Sequence, residues 1–281
     1  MKENKKRELI FMSYRIFANH AHVVPKEVRA SGTVEALHET MAYCGIEKTV
    51  CFAPFRGRLL EEGLTYNQNE WLAQTIAGDA ALVGFGTVDF EAGSLQAQVE
   101  EMARLGLLGI KLHPAAQEFS VVGEKALEVY TAAERCGLFL SFHTGIHWHR
   151  IADYQLLLFD EIACRFPLLR MSLEHIGGYH FFREALAVIC NHREMPYQVY
   201  AGWTSIAMDD NGLPNCWSLT DEELRTVIHQ SGPHRSIFGL DFPFKSKEYI
   251  AKSIERVVNL DISQEAKENI LGGTLSRVLG I

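Results

Sequence analysis

The sequence predicts an α/β fold, a (β/α)8 TIM barrel in a single domain. Short apolar segments typical of parallel strands alternate with longer amphipathic segments, and eight such pairs fit within the 281 residues. Their spacing is close to the roughly thirty residues of a βαβ unit. Asn19-His20-Ala21-His22 stands where an open doubly wound sheet, the main alternative, would carry a glycine-rich nucleotide loop.

The strands are predicted from continuous apolar runs bounded by turn residues. They cover residues 15–22, 48–55, 82–90, 107–113, 139–144, 169–175, 198–203 and 237–242. Helices are predicted between them, mostly from a Ser or Thr start to a Gly or Pro stop. They cover residues 33–43, 67–76, 94–104, 124–135, 152–164, 182–192, 221–229 and 246–258, and a helical segment over 263–281 closes the chain. We expect residues 1–12 to form a loose N-terminal extension and residues 13–281 to form the barrel.

Composition excludes several classes of protein. Apolar residues make up 47% and charged residues 22%, which is ordinary for a soluble globular chain. The net charge of -8, without a basic run, disfavours nucleic acid as a partner. No apolar segment is long enough for a membrane span or a signal peptide. The six scattered cysteines suggest neither a disulfide framework nor a zinc ribbon. We therefore expect a cytoplasmic protein that binds neither nucleic acid nor membrane.

Two histidines end the first predicted strand. His20 and His22 are two residues apart, so both side chains point to one face of a strand. Two neighbouring imidazoles provide half of the ligands of a typical metal site. Taken alone, the pair could equally be two ordinary histidines at a strand end.

Four other predicted strands end in polar residues. Lys111 and His113 end the fourth strand, His143 the fifth, His175 the sixth and Asp241 the eighth. Each has a structural alternative; Asp241, for example, could cap a turn. In a TIM barrel, however, the carboxyl ends of the strands form the active site, and charged groups inside apolar strands are costly unless they are paired or bind metal. The set as a whole favours a metal centre at this end.

The order and spacing of five motifs resemble a known family. The motifs are the first-strand His-x-His, Gly-Ile-Lys-Leu-His-Pro, Phe-His-Thr-Gly, Glu-His-Ile-Gly-Gly and Gly-Leu-Asp-Phe-Pro. With them, nearly the whole chain resembles the metal-dependent amidohydrolase superfamily. More narrowly, it is similar to the compact branch that includes aminocarboxymuconate-semialdehyde decarboxylase, aromatic-acid decarboxylases and dicarboxylate lactonases.

The resemblance implies roles for the site residues. It makes His20, His22, His143 and Asp241 metal ligands, and His175 the histidine beside the metal that handles water or substrate. It also implies one divalent ion, for which imidazole and carboxylate ligands suit zinc, but also manganese, iron or cobalt. Homo-oligomerisation is expected at the level of the family only.

The fourth strand and the loop after the second strand carry candidate substrate-binding residues. In two-metal members of the superfamily, a fourth-strand lysine is carbamylated and bridges two ions, and Lys111 is on that strand. Since the narrower branch uses one metal, we expect Lys111 and His113 to face a substrate carboxylate instead. Arg56 could bind a carboxylate in a bidentate manner, although a surface role is an equal alternative.

We expect an enzyme that hydrolyses a lactone, ester or amide bond of a small, carboxylated substrate. A bound divalent ion would activate water, Asp241 would accept the proton, and His175 would stabilise or protonate the leaving group. The alternative is a decarboxylase of an unsaturated or aromatic acid.

Two departures from the family pattern affect this expectation. His20 replaces the Glu usual in the decarboxylases, which favours hydrolysis, and Ala18 replaces the usual Asp before the first ligand. A closing Asn common in the family's tail is replaced near Thr274, with an effect expected on packing only. A nuclease, or a barrel that binds a ligand without turnover, are further alternatives.

Overall fold

The computed structural model describes residues 13–194, 198–208 and 213–281. Eight parallel strands pair in chain order and close into a barrel, because β1 also pairs with β8. The strands are β1 Ile16–His22, β2 Ile46–Phe52, β3 Leu82–Thr87, β4 Gly109–Leu112, β5 Phe139–His143, β6 Arg170–Glu174, β7 Val199–Thr204 and β8 Ser236–Phe242. The predicted (β/α)8 barrel is confirmed. The predicted extension over residues 1–12 lies outside the described residues.

Helices separate the strands as predicted, with one addition in the β2–β3 connection. They are α1 Val34–Cys44, α2 Arg56–Glu61, α3 Gln68–Thr75, α4 Leu95–Arg104, α5 Glu124–Cys136, α6 Leu158–Arg165, α7 Gly178–Asn191, α8 Asp221–Ser231, α9 Lys247–Asn259, α10 Gln264–Glu268 and α11 Thr274–Leu279. The sequence did not predict α2. The helix predicted from Ala152 begins at Leu158, after a 3₁₀ turn at Ile151–Asp153.

Side-chain caps set several helix starts. Thr33, Ser94 and Ser246 each accept a hydrogen bond from a backbone N–H of the first turn of α1, α4 and α9. Thr220 and Glu223 form a reciprocal capping box at α8. These are the Ser and Thr signals that the sequence offered, and they fix the helices that pack around the barrel.

An apolar layer fills the barrel below its functional end. Aromatic rings from different strands meet there, with centroids 5.9 Å apart for Phe52 and Phe85, 5.9 Å for Phe85 and Phe139, and 6.0 Å for Phe139 and Tyr200. Leu275 and Val278 of α11 belong to the same buried cluster. The top of this layer is Phe52, whose ring lies 5.0 Å from that of His20. The apolar layer is therefore the floor on which the polar strand ends stand.

Candidate metal centre

Three of the predicted site residues have left-handed backbone conformations. His20, His175 and Asp241 have φ values of 70°, 63° and 58°. This conformation is uncommon outside glycine, costs about 1–3 kcal/mol per residue and concentrates at functional sites. In β1 it coincides with a register shift between Ala18 and Ala21. One ligand atom from each of the three side chains lies within 4.8 Å of the others.

The hydrogen bonds of His20 define which ring nitrogen faces this group. Its Nδ1 lies 3.0 Å from Oε2 of Glu174, and because a carboxylate only accepts, Nδ1 carries the proton. Burial, together with the charge of Lys111, lowers the pKa of His20 well below its usual value, so the ring is neutral. Nε2 therefore carries the free lone pair. This atom lies 3.6 Å from Oδ1 of Asp241 and 3.4 Å from Nζ of Lys111.

His143 and His175 present two further lone pairs to each other. Nε2 of His143 donates to the carbonyl of Gly145 at 2.6 Å, and Nδ1 of His175 donates to the carbonyl of Thr204 at 3.0 Å. Burial lowers the pKa of His175 to about 4 and that of His143 well below its usual value. Both rings are therefore neutral, and their facing nitrogens, 3.2 Å apart, both lack a proton. Two lone pairs at this distance repel each other unless a cation lies between them.

The donor set fits a divalent metal ion. His20, His175 and Asp241 bring two unprotonated imidazole nitrogens and a carboxylate oxygen within 4.8 Å of one another, and these are ligand types that zinc takes. Asp241 supplies a carboxylate whose other oxygen accepts a hydrogen bond from Ser205 at 2.6 Å. Burial alone would raise the pKa of Asp241, but the neighbouring histidines and Ser205 lower it below its usual value. His22 lies beside the centre, its ring 5.0 Å from that of His20 and its pKa lowered to about 3, mainly by burial.

A second group of histidines lies next to the first. His113, His143 and His147 also bring ligand atoms within 4.8 Å of one another. The backbone N–H of Ala116 donates to Nδ1 of His113, so the neutral ring carries its proton on Nε2 and donates it to Nδ1 of His147 at 3.2 Å. His113 stacks on His143 at 4.0 Å. His113 therefore supports the neighbouring rings and offers no lone pair to a metal here.

A cavity of about 640 Å³ contains both groups. Its lining includes seven of the eight predicted site residues: His20, His22, Lys111, His113, His143, His175 and Asp241. Phe55, Trp217 and Phe244 form apolar walls, and Arg29, Arg58 and Lys245 add positive charge. The sequence predicted no role for these three cations, because Arg29 and Lys245 lie on loops without a periodic pattern and Arg58 lies in the unpredicted helix α2.

Comparison with known proteins identifies the family. A family model described as amidohydrolase matches residues 49–281. The chain belongs to the amidohydrolase family. The match begins within β2, so His20 and His22 lie outside it. No curated protein sequence matches significantly.

Solved structures share the amidohydrolase fold at low identity. A 5-carboxyvanillate decarboxylase from Sphingomonas paucimobilis is 15% identical, with a TM-score of 0.70 over 95% of this chain and 99% of that one. A Bordetella bronchiseptica TIM-barrel protein is 21% identical, with a TM-score of 0.69 over 99% and 91%. A Pseudomonas putida protein described as a putative 2-pyrone-4,6-dicarboxylic acid hydrolase is 16% identical, with a TM-score of 0.68 over 95% and 97%. The chain is thus an enzyme of a metal-dependent family.

No described helix could cross a membrane.

Arg56 does not line the cavity of this amidohydrolase. Its guanidinium donates to the backbone carbonyls of Tyr66 and Thr65, the latter at 2.9 Å. These bonds tie the start of α2 to the loop before α3. The Arg56 side chain, expected to bind a substrate carboxylate, therefore donates its hydrogen bonds to the backbone of this chain. Arg58, two residues further on, lines the cavity.

Lys111 lies beneath the metal centre with 1% of its surface exposed. Its Nζ is 3.4 Å from Nε2 of His20 and 5.2 Å from the centroid of Phe52. Burial lowers its pKa to about 8, and the negative charges of Glu174 and Asp241 limit the drop. A protonated Lys111 at this position compensates the negative charge of Glu174 and Asp241.

Glu174 is a further residue at this site for which the sequence predicted no role. It is completely buried, at the end of β6 next to His175. A signal was available, because a carboxylate within an apolar strand must be paired or hydrogen-bonded. Its hydrogen-bond donors come from four different strands, β1, β5, β6 and β7, however, and no sequence pattern reveals that convergence.

Proposed function

We propose that this amidohydrolase uses one divalent metal ion to hydrolyse a lactone, ester or amide bond of a small, carboxylated substrate. The observation that carries the proposal is that one ligand atom each of His20, His175 and Asp241 lies within 4.8 Å of the others, while Nδ1 of His143 lies 3.2 Å from Nε2 of His175. Nε2 of His20 already faces Nζ of Lys111 at 3.4 Å, but the facing nitrogens of His143 and His175 have no proton between them and are stable this close together only beside a cation.

His20, His22, His143 and Asp241 would hold the ion, with His175 beside it. Zinc is the metal we favour, since neutral imidazole and carboxylate are its usual ligands. Zinc is bound in a similar amidohydrolase from Burkholderia multivorans, and manganese in a dihydroxybenzoic acid decarboxylase from Polaromonas, each 15% identical to this chain. The six free cysteines suit a reducing cytoplasm. Assembly into homo-oligomers stays a prediction.

The side chains around the ion would carry the proton transfers. A divalent ion held there would lower the pKa of a bound water toward about 7 and polarise a carbonyl. Asp241, oriented by Ser205, would accept the proton of the attacking water through Oδ1. His175 keeps its unprotonated Nε2 toward the same space and lies next to Asp241, so it would take up this proton from Asp241 and deliver it to the leaving group.

Positive charge in the cavity favours an anionic substrate. Lys111 lies at its base, and Arg29 and Lys245 on loops and Arg58 on α2 also line it. A substrate carboxylate would be attracted to these cations and so oriented with its scissile bond at the metal. We propose that the substrate packs against the ring of His113, because both ring nitrogens already have hydrogen-bond partners.

Decarboxylation is the second candidate. Phe55, Trp217 and Phe244 provide flat apolar walls suited to an unsaturated or aromatic acid. The similar structure from Sphingomonas paucimobilis is itself a decarboxylase. Both reactions need the same metal centre, so the products must decide between them.

The test combines metal analysis with a substrate panel. Purified protein should contain close to one equivalent of a divalent metal. Carboxylated lactones and esters should be opened without release of carbon dioxide, and removal of the metal by a chelator should abolish turnover. Carbon dioxide release from aromatic acids, with lactones left intact, would favour the second candidate. Protein that stays metal-free after incubation with zinc or manganese would overturn both.

A further inference from the structure

We propose that Glu174 is a positioning residue of the metal centre. By accepting the Nδ1 proton of His20, it fixes the tautomer that presents the Nε2 lone pair to the ion. The proposal rests on the proposed metal centre and assigns a role to a residue that would not contact the ion.

The carboxylate of Glu174 accepts hydrogen bonds on both oxygens. Oε2 accepts from Nδ1 of His20 at 3.0 Å and from Oγ1 of Thr204 at 2.6 Å. Oε1 accepts from Nδ2 of Asn19 at 2.9 Å, Oγ of Ser141 at 3.1 Å and Oγ of Ser172. Five donors converge on this one side chain. An amide would turn one of its two ends into a donor, so only a carboxylate satisfies them all without reorientation.

The surrounding strands leave space for this carboxylate. A Cβ added at Gly202 of β7 would lie 2.6 Å from Oε2 of Glu174. One added at Gly239 of β8 would lie 2.0 Å from Oγ1 of Thr204, which itself donates to Glu174. Two glycines on neighbouring strands thus keep clear the volume that the carboxylate and its donor occupy.

The charge of Glu174 also matters at this depth. A fully buried anion is costly unless neighbouring charge and hydrogen bonds compensate it. Lys111 is the nearby buried cation, and a divalent ion at the centre adds positive charge on the same side. Because a carboxylate behind a ligand histidine raises the basicity of the ring, Glu174 should strengthen metal binding as well as orient His20.

The experiment compares Glu174→Gln with Ser141→Ala. Ser141→Ala removes one donor from Oε1 but leaves the bond between Oε2 and His20, so it is the matched control. The dissociation constant of Co²⁺ would be measured by chelator competition on metal-free protein, with thermal unfolding of each variant alongside. We expect Glu174→Gln to weaken Co²⁺ binding by about 10–100-fold and Ser141→Ala by less than about threefold.

The outcomes separate this proposal from the proposed function. Wild-type protein that binds no Co²⁺ would overturn the metal centre and the role of Glu174 with it. Wild-type binding with Glu174→Gln within about threefold, or an equal loss in Ser141→Ala, would overturn the role of Glu174 alone. If Glu174→Gln does not fold, ¹⁵N NMR of metal-free wild-type protein decides. His20, identified by its loss in His20→Gln, should be protonated on Nδ1, and a proton on Nε2 would refute the proposal.

Discussion

Three histidines of the candidate centre are each fixed by a hydrogen-bond partner on the far side of the ring. Glu174 holds His20, the carbonyl of Gly145 holds His143, and the carbonyl of Thr204 holds His175. Each partner can only accept, so the ring must donate to it and expose its lone pair inward. The residue type gives a histidine its ability to bind metal, and these contacts give it the tautomer.

Asp241 is the residue whose replacement tests the proton transfer. We expect Asp241→Asn to lower turnover on any hydrolysable substrate by about 10²–10⁴-fold, because the amide cannot accept the proton of water. The metal content of the variant must be measured with kcat, since Asp241 would also be a ligand. Ser205→Ala keeps the carboxylate and removes only its 2.6 Å hydrogen bond, so its loss should be smaller. Turnover of Asp241→Asn within a few-fold of wild type would show that Asp241 is not the base.

Gly202 tests how tightly the site is built. Gly202→Ala would place Cβ 2.8 Å from Cα of Glu174 as well as 2.6 Å from its Oε2. To relieve the clash with Cα, the backbone of β6 would have to move. We expect a loss of about 1–3 kcal/mol in the free energy of unfolding, measured in urea. Gly57→Ala is the control, because a Cβ at Gly57 in α2 meets nothing within 4 Å and alanine favours a helix. Equal stability of the two variants would contradict this account of the packing.

At the scale of elements, the strands and most helices were predictable because their signals are local. Parallel strands covered by helices are continuous apolar runs, and the Ser or Thr caps mark where several helices begin. The short helix α2 escaped prediction, since it has no capping side chain at Phe55. The early part of the predicted helix 152–164 is instead held to the loop after β5, where Tyr154 accepts a hydrogen bond from the backbone of His147. Such a tertiary contact overrides helical periodicity and is not visible in the sequence.

The residues of the candidate site also fall into those that local sequence features predict and those that only tertiary contacts bring into place. The end of a strand is a local feature, so Lys111, His143 and Asp241 could be placed at one rim from sequence. The contacts of Glu174 and the loop cations Arg29 and Lys245 depend on how distant segments meet. The hydrogen bonds of Arg56 were not predictable for the same reason, because the carbonyls that accept them lie about ten residues further on.

The helix α2 tests this distinction between Arg56 and Arg58. Arg56→Ala breaks two charge-assisted hydrogen bonds that hold α2 to the following loop, so it should lower the free energy of unfolding by about 1–3 kcal/mol. It should leave KM nearly unchanged, whereas Arg58→Ala should raise KM for an anionic substrate and hardly change stability, since its ion pair with Glu61 is exposed. Urea unfolding and steady-state kinetics on both variants provide the measurement. The reverse pattern would restore Arg56 as the substrate ligand.

The whole molecule is layered along the barrel axis. An apolar layer closed by α11 lies at the bottom, the hydrogen-bonded carboxylate of Glu174 lies above it, and a ring of histidines faces the cavity. Burial lowers the pKa of six of these histidines: His20, His22, His113, His143, His147 and His175. The folded barrel therefore holds neutral imidazoles that the unfolded chain would protonate in mild acid.

This difference makes stability depend on pH in a defined direction. A histidine with a lowered pKa contributes stability that is present above its unfolded value of about 6.5 and is lost as pH falls below it, toward about 4 for His175 and 3 for His22. Each such group adds about 1.4 kcal/mol per pH unit to the slope, so metal-free protein should lose stability steeply between pH 7 and 5 in urea unfolding. His113→Gln should reduce this slope by about one proton. Zinc should keep the free energy of unfolding high in the part of this range nearest pH 7, because the ion binds only the neutral rings. A flat profile from pH 7 to 5 in metal-free protein would mean that the histidines are already protonated in the fold, and the convergence of lone pairs would then be wrong.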